Sequence, residues 1–166
     1  EDDDQNKEGE TKGNDSMNKE KEKKRKWLIQ LIDDSAVLWI ASNGGHVGVV
    51  EKILEVVGIN VSVAMRSGTA LYEASANGHV AIVKVLIKAG GNVNQADDAG
   101  SSPLWMASQQ GNIAIVKVLL EAGGNVNQHN NQDATPLFMA SIAGHIDIVR
   151  LLLQNPNIDI NKAKFF

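Results

Sequence analysis

The chain has 166 residues and a formal net charge of -4, enough for one ordinary domain. The charge excludes a global basic field for nucleic acid or an anionic membrane, and no apolar run is long enough to span a bilayer. The sequence contains no cysteine, which excludes disulfides and thiolate chemistry and fits a reducing compartment.

In chain order, residues 1–26 hold nine acidic and eight basic residues, with one Met and no aromatic. Such a segment buries too little apolar area to offset its ordering entropy and is expected to be a disordered charged tail. It has no basic start followed by an apolar stretch, so it is not a signal peptide. Its first residue is Glu1, which suggests a processed product or a fragment. KKRK at 23–26 resembles a nuclear-import signal, although a solvated charged helix start is the favoured reading. The chain is expected inside the cell, in the cytoplasm, with the nucleus as alternative. WLIQLID at 27–33 is amphipathic, and residues 27–34 are expected to cap the first apolar unit.

A repeat dominates the rest. AVLWIASNGGH at 36–46, TALYEASANGH at 69–79, SPLWMASQQGN at 102–112 and TPLFMASIAGH at 135–145 follow one another at a spacing of 33. Thr69, Ser102 and Thr135 are N-caps in waiting, with Pro103 and Pro136 at the first helical position. In the first copy Asp34 or Ser35 takes the cap. Gly45, Gly78, Gly111 and Gly144 end each first helix. An apolar second helix follows, such as VAIVKVLI at 80–87, and Gly-Gly at 90–91 and 123–124 stops it. One such hairpin cannot bury its own apolar face, but stacked hairpins can.

These motifs resemble the ankyrin repeat. The resemblance covers about residues 35–163 and rests on T-P-L, then G-H and an apolar helix, recurring at a fixed period. It implies an all-α solenoid of four helix-turn-helix repeats of 33 residues (about 35–67, 68–100, 101–133 and 134–166) with projecting finger turns. An aromatic replaces the family's usual histidine each time: Trp39, Tyr72, Trp105 and Phe138. The finger-tip glycine survives as Gly100, while Ser67 and Asp133 replace it elsewhere. INVSVAMRSGT at 59–69 fits the turn only with a shifted Asn, and NPNIDIN at 155–161 carries an extra residue.

Chemistry-bearing candidates are few. His46, His79 and His145 recur in phase, with Asn112 in the remaining slot. Repeats stack about 8–10 Å apart, too far for a ladder of rings to close on one metal ion, so a turn histidine bonded to backbone is expected. The aromatic ladder is read as packed rings, with an exposed binding groove as the alternative. No cysteine nucleophile, phosphate-binding loop or HExxH is present, so no enzyme, cofactor or metal is expected.

In the resembling family, partners bind the concave face and finger tips. That implies a protein partner held by Ile40, Asn43, Glu73, Ala76, Asn77, Met106, Gln109, Gln110, Met139 and Ile142 on the face. Met65, Arg66, Asp97, Asp98, Asn130 and Asn131 would add the tips. No small-molecule substrate, nucleic acid or membrane is expected. The alternative function is the targeting segment of a larger protein. IVRLLLQ at 148–154 followed by NKAKFF lacks the polar outer face of a terminal repeat, so further repeats or self-association are expected at that end.

Overall fold

The computed structural model describes residues 19, 21, 34–55, 59–65 and 67–162. The chain divides into two compact units, Glu1–Asp34 and Ser35–Phe166, and the following concerns the second. The expected tail (apart from Lys19 and Lys21), the capping segment before Asp34, and Arg66 lie outside the described residues.

Eight helices in four pairs occupy the described part: α1 Asp34–Asn43 with α2 Val47–Leu54, α3 Ala70–Ala76 with α4 Val80–Lys88, α5 Pro103–Gln109 with α6 Ile113–Glu121, and α7 Pro136–Ile142 with α8 Ile146–Leu153. The predicted caps form: Thr69 accepts from the Tyr72 N–H at 3.1 Å, Ser102 from Trp105 at 3.2 Å and Thr135 from Phe138 at 3.3 Å. Asp34 and Ser35 instead lie inside the first turn of α1, so the expected cap is corrected: neither stands at the capping position.

The pairs stack in register. First helices pack in the order α3, α5, α7, and second helices in the order α2, α4, α6, α8. One core runs through the stack because each copy contributes the same positions. Leu38, Leu71 and Leu104 are buried, as are Ile82, Ile115 and Ile148, and likewise Leu86, Leu119 and Leu152. Small residues let the first helices approach: Ala74, Ala107 and Ala140 are fully buried. The neighbouring Ser75, Ser108 and Ser141 hydroxyls donate back to the carbonyls of Leu71, Leu104 and Leu137 at 2.7–2.8 Å.

A second set of bonds fixes the register. Asn125 N–H donates to the Asn94 side chain at 2.7 Å, Asp159 N–H to Asn127 at 2.8 Å, and Asn92 N–H to the Ser62 hydroxyl at 3.0 Å. Asn60, Asn92, Asn125 and Asp159 each accept from the N–H two residues on, which makes them equivalent. Their spacings are 32, 33 and 34. The shifted Asn and the extra residue of the sequence are therefore absorbed in the turns, and the helices keep their places.

The fingers are not alike. In the second and third, Asp97 and Asn130 organise the loop. Asp97 Oδ1 accepts from the N–H groups of Ala99 and Ser101 at 2.9 and 2.8 Å, and Asn130 Oδ1 from those of Gln132 and Ala134, both at 3.0 Å. The tips then need a left-handed residue. Gly100 supplies it, and Asp133 does so too, at φ 58. In the first finger that position is Ala64, which has no side-chain acceptor. The loop closes instead as a hairpin, β1 (Ala64–Met65) against β2 (Gly68–Thr69), with Met65 paired to Gly68. This is the departure from the all-helical expectation.

Candidate functional site

The candidate surface lies on the first helices and the fingers, where side chains differ between copies on a repeating frame. What holds that frame is the turn between paired helices. Each turn lends a side chain to the preceding unit: His79 Nε2 donates to the Asn43 carbonyl at 3.0 Å, Asn112 Nδ2 to Ser75 at 3.1 Å, and His145 Nε2 to Gln109 at 3.0 Å. The carbonyl only accepts, so each ring carries its proton on Nε2. Histidine and asparagine both serve here because each presents an N–H to the preceding turn, the shorter asparagine reaching a carbonyl one residue earlier.

Glycine is required opposite them. Gly111 has φ 78, and a Cβ there would lie 2.7 Å from the His145 ring. Sequence reasoning assigned these glycines to the helix ends alone. Their second duty, making room for the next unit, could not be seen from one copy.

The predicted contact residues separate by exposure. Asn43, Asn77, Asp98, Gln110 and Asn131 are exposed, as are Ile40 and Ile142 at 60% and 63%. The structure brings several together: Asn77 Nδ2 donates to Asn43 Oδ1 at 3.0 Å, Asn131 Nδ2 to the Asp98 carbonyl at 3.1 Å, and Gln110 Nε2 contacts Met106 Sδ at 3.7 Å. Met65, Ala76, Asp97, Met106 and Gln109 are half-buried.

Three positions depart from expectation. Asn130 is buried because its amide oxygen turns inward to hold the finger. Met139 is buried in a small cluster with Trp105 and Ala134, against which Met106 and Phe138 pack. Glu73 is buried on α3. The organising role of Asp97 and Asn130 was visible as an Asp or Asn three residues before the finger-tip residue, a turn signature that sequence reasoning read as contact.

The aromatic ladder is packing in its middle. Tyr72 and Trp105 are buried, and the Trp105 indole donates to the Ala134 carbonyl at 2.9 Å. Trp39 and Phe138 are half-buried. Burial, and then the Asp97 carboxylate beside its hydroxyl, push the Tyr72 phenol far up. Glu73 is also raised from 4.5, first by burial; a Ser67 hydrogen bond opposes this and the Asp97 charge adds to it. Among the described residues no salt bridge reaches Glu73 or Asp97.

The described residues contain no helix long and apolar enough to cross a membrane and no group of His, Cys, Asp and Glu placed to share a metal ion. Among curated proteins none matches the chain. The sequence model of a family described as ankyrin repeats, in three copies, matches residues 16–97 and 90–164. With that match spanning most of the sequence, and with the helix pairs stacked in register, the chain belongs to the ankyrin-repeat family.

Proposed function

We propose that this chain is a non-catalytic scaffold that binds a partner protein across the exposed side of its first helices and finger turns. Ankyrin repeats generally mediate protein–protein interaction, and this family membership supports the reading. The observation that carries it is a contrast within each copy. Framework positions repeat and are buried, while the exposed positions beside them differ. Asn43, Asn77 and Gln110 stand next to the buried Ser42, Ser75 and Ser108 frame, and Asp98 and Asn131 stand on adjoining fingers.

The surface is rich in amides and includes a thioether, Met106, half-buried against the Trp105 cluster. Amides offer both donors and acceptors, and a thioether adapts its shape, so the face suits a peptide backbone with an apolar anchor. Glu73 and Met139 are too buried to be probed without disturbing the stack.

The test is affinity capture with the full chain against Asn77→Arg, Met106→Arg and Gln110→Arg combined. Loss of the captured partner from a variant that still melts cooperatively above the assay temperature is expected, and a hot spot in the set would cost about 2 kcal/mol of binding or more. Survival of every captured partner would show that this side is not the binding face.

A further inference from the structure

The sequence has no cysteine, so its side-chain sulfurs are all thioethers. Three of them are described, in three environments. Met139 is 7% exposed, packed with Trp105 and Ala134. Met65 is half-buried on β1 of the first finger. Met106 is half-buried at the edge of the Trp105 cluster. Among the described methionines, Met106 alone accepts a hydrogen bond at sulfur: Gln110 Nε2 donates to its Sδ at 3.7 Å.

That bond is a poor use of an amide. Gln110 is exposed at the C-terminal cap of α5, where water competes as an acceptor, and a thioether accepts only weakly. The spacing of four residues holds the two side chains one above the other on the same helix face. The Gln110 amide has no other partner among the described residues, so it turns without breaking a second protein bond. An oxygen added to the sulfur would be a much stronger acceptor, and the 3.7 Å separation leaves room for it beside the amide.

We propose that Met106 is an oxidation site for hydrogen peroxide, with the Gln110 amide as the donor that receives the new sulfoxide oxygen. A sulfur lone pair attacks one peroxide oxygen. The S–O bond forms as the O–O bond breaks, and the proton on the transferred oxygen passes to the departing hydroxide, which leaves as water. Sulfur loses two electrons and the peroxide gains them. The amide N–H moves from sulfur to the oxygen on which charge develops, which favours that path. Sulfur has two lone pairs, and addition at one or the other gives opposite epimers. Only one epimer points its oxygen at Gln110, so a single epimer dominates at Met106. Methionine sulfoxide reductases each take one epimer, so one reductase class reverses the change. Met139 shares the cluster, but burial keeps peroxide from its sulfur while the chain is folded.

Partial oxidation of the full chain with dilute hydrogen peroxide, then digestion and chromatographic separation of the sulfoxide epimers, tests this. In the folded wild type, Met106 is expected to oxidise before Met139 and to give one epimer in several-fold excess. Oxidation in concentrated urea is expected to equalise the epimers. Gln110→Leu is expected to slow Met106 several-fold and to remove the excess, with the rate at Met65 unchanged. Gln110→Glu keeps the shape without the donor and should do the same. Circular dichroism melting checks that both variants fold.

Equal epimers at Met106 in the folded wild type overturn the proposal. So does an excess that survives both Gln110 variants, since the helix surface alone would then set it. Faster oxidation of Met106 in Gln110→Leu would mean that the amide shields the sulfur, and it overturns the proposal as well. Oxidation of Met139 ahead of Met106 does the same.

Discussion

The two inner repeats and the two outer ones have nearly the same sequence but not the same finish. In the inner pair, Tyr72, Trp105 and the first-helix leucines are buried, and both turns lend a side chain to the unit before. The outer pair holds every large exposed apolar side chain among the described residues. The first unit also holds the two buried side-chain atoms there that lack a hydrogen-bond partner, Trp39 Nε1 and Ser42 Oγ. A repeat's sequence therefore does not set its stability by itself. Among the described units an inner one packs between two others, so the same side chain contributes differently by address.

The largest test of that difference uses leucine. Leu119 is fully buried on α6, and Leu153 is half-exposed on α8. Leu119→Ala is expected to cost about 2–5 kcal/mol by lost burial and a residual cavity. Leu153→Ala should fall within about 0.5 kcal/mol of wild type. Urea unfolding measures both. Equal losses would break the comparison.

What the sequence revealed, and what it hid, follows the same division. The period, the caps at Thr69, Ser102 and Thr135, and the glycines that close each first helix were legible because each depends on a few neighbouring residues. The backbone bond expected of the turn histidines was legible too for His79 and His145. The burial of Glu73 and Met139 was not, because it depends on residues distant in the unit pattern: Ser67 and Asp97 beside Glu73, and Trp105 and Ala134 beside Met139. Nor was the hairpin of the first finger. Replacing an acceptor by Ala64 removes one set of turn bonds without announcing which alternative pairing takes over.

That finger leads to a sharper test, one that contrasts two tryptophans. Trp105 Nε1 has its carbonyl, Ala134, at the start of the organised fourth-unit cap. The position equivalent to Ala134 in the first finger is Gly68, which sits in β2, and Trp39 Nε1 is buried without a partner. Trp105→Phe removes this bond and some ring area, while the Ala134 carbonyl keeps the Asn130 N–H, and is expected to destabilise by about 0.5–1.5 kcal/mol. Trp39→Phe removes a donor that was already unsatisfied, so its loss of ring area is offset and the net change is small or stabilising. Thermal melts of the two variants separate them. A Trp39→Phe loss as large as that of Trp105→Phe would mean the indole N–H has a partner after all.

The smallest expected effect is a charge at a single address. Glu73 occupies the position held by Ile40, Met106 and Met139 in the other units, and among the described residues it is the one buried carboxyl. Burial holds its pKa above 4.5, so between that value and its folded value the native chain keeps a proton that the unfolded chain has released. The native state then binds more protons than the unfolded state, and stability falls as pH rises through that window; below 4.5 both states are protonated and this contribution is complete. Glu73→Gln keeps the shape and removes the titration. Its melting temperature should equal or exceed that of wild type at neutral pH, and the gap should close as pH drops below 4.5. Were Glu73→Gln less stable than wild type at neutral pH, the carboxylate would be held by a favourable partner strong enough to outweigh its burial, and the second unit would not carry the penalty its sequence implies.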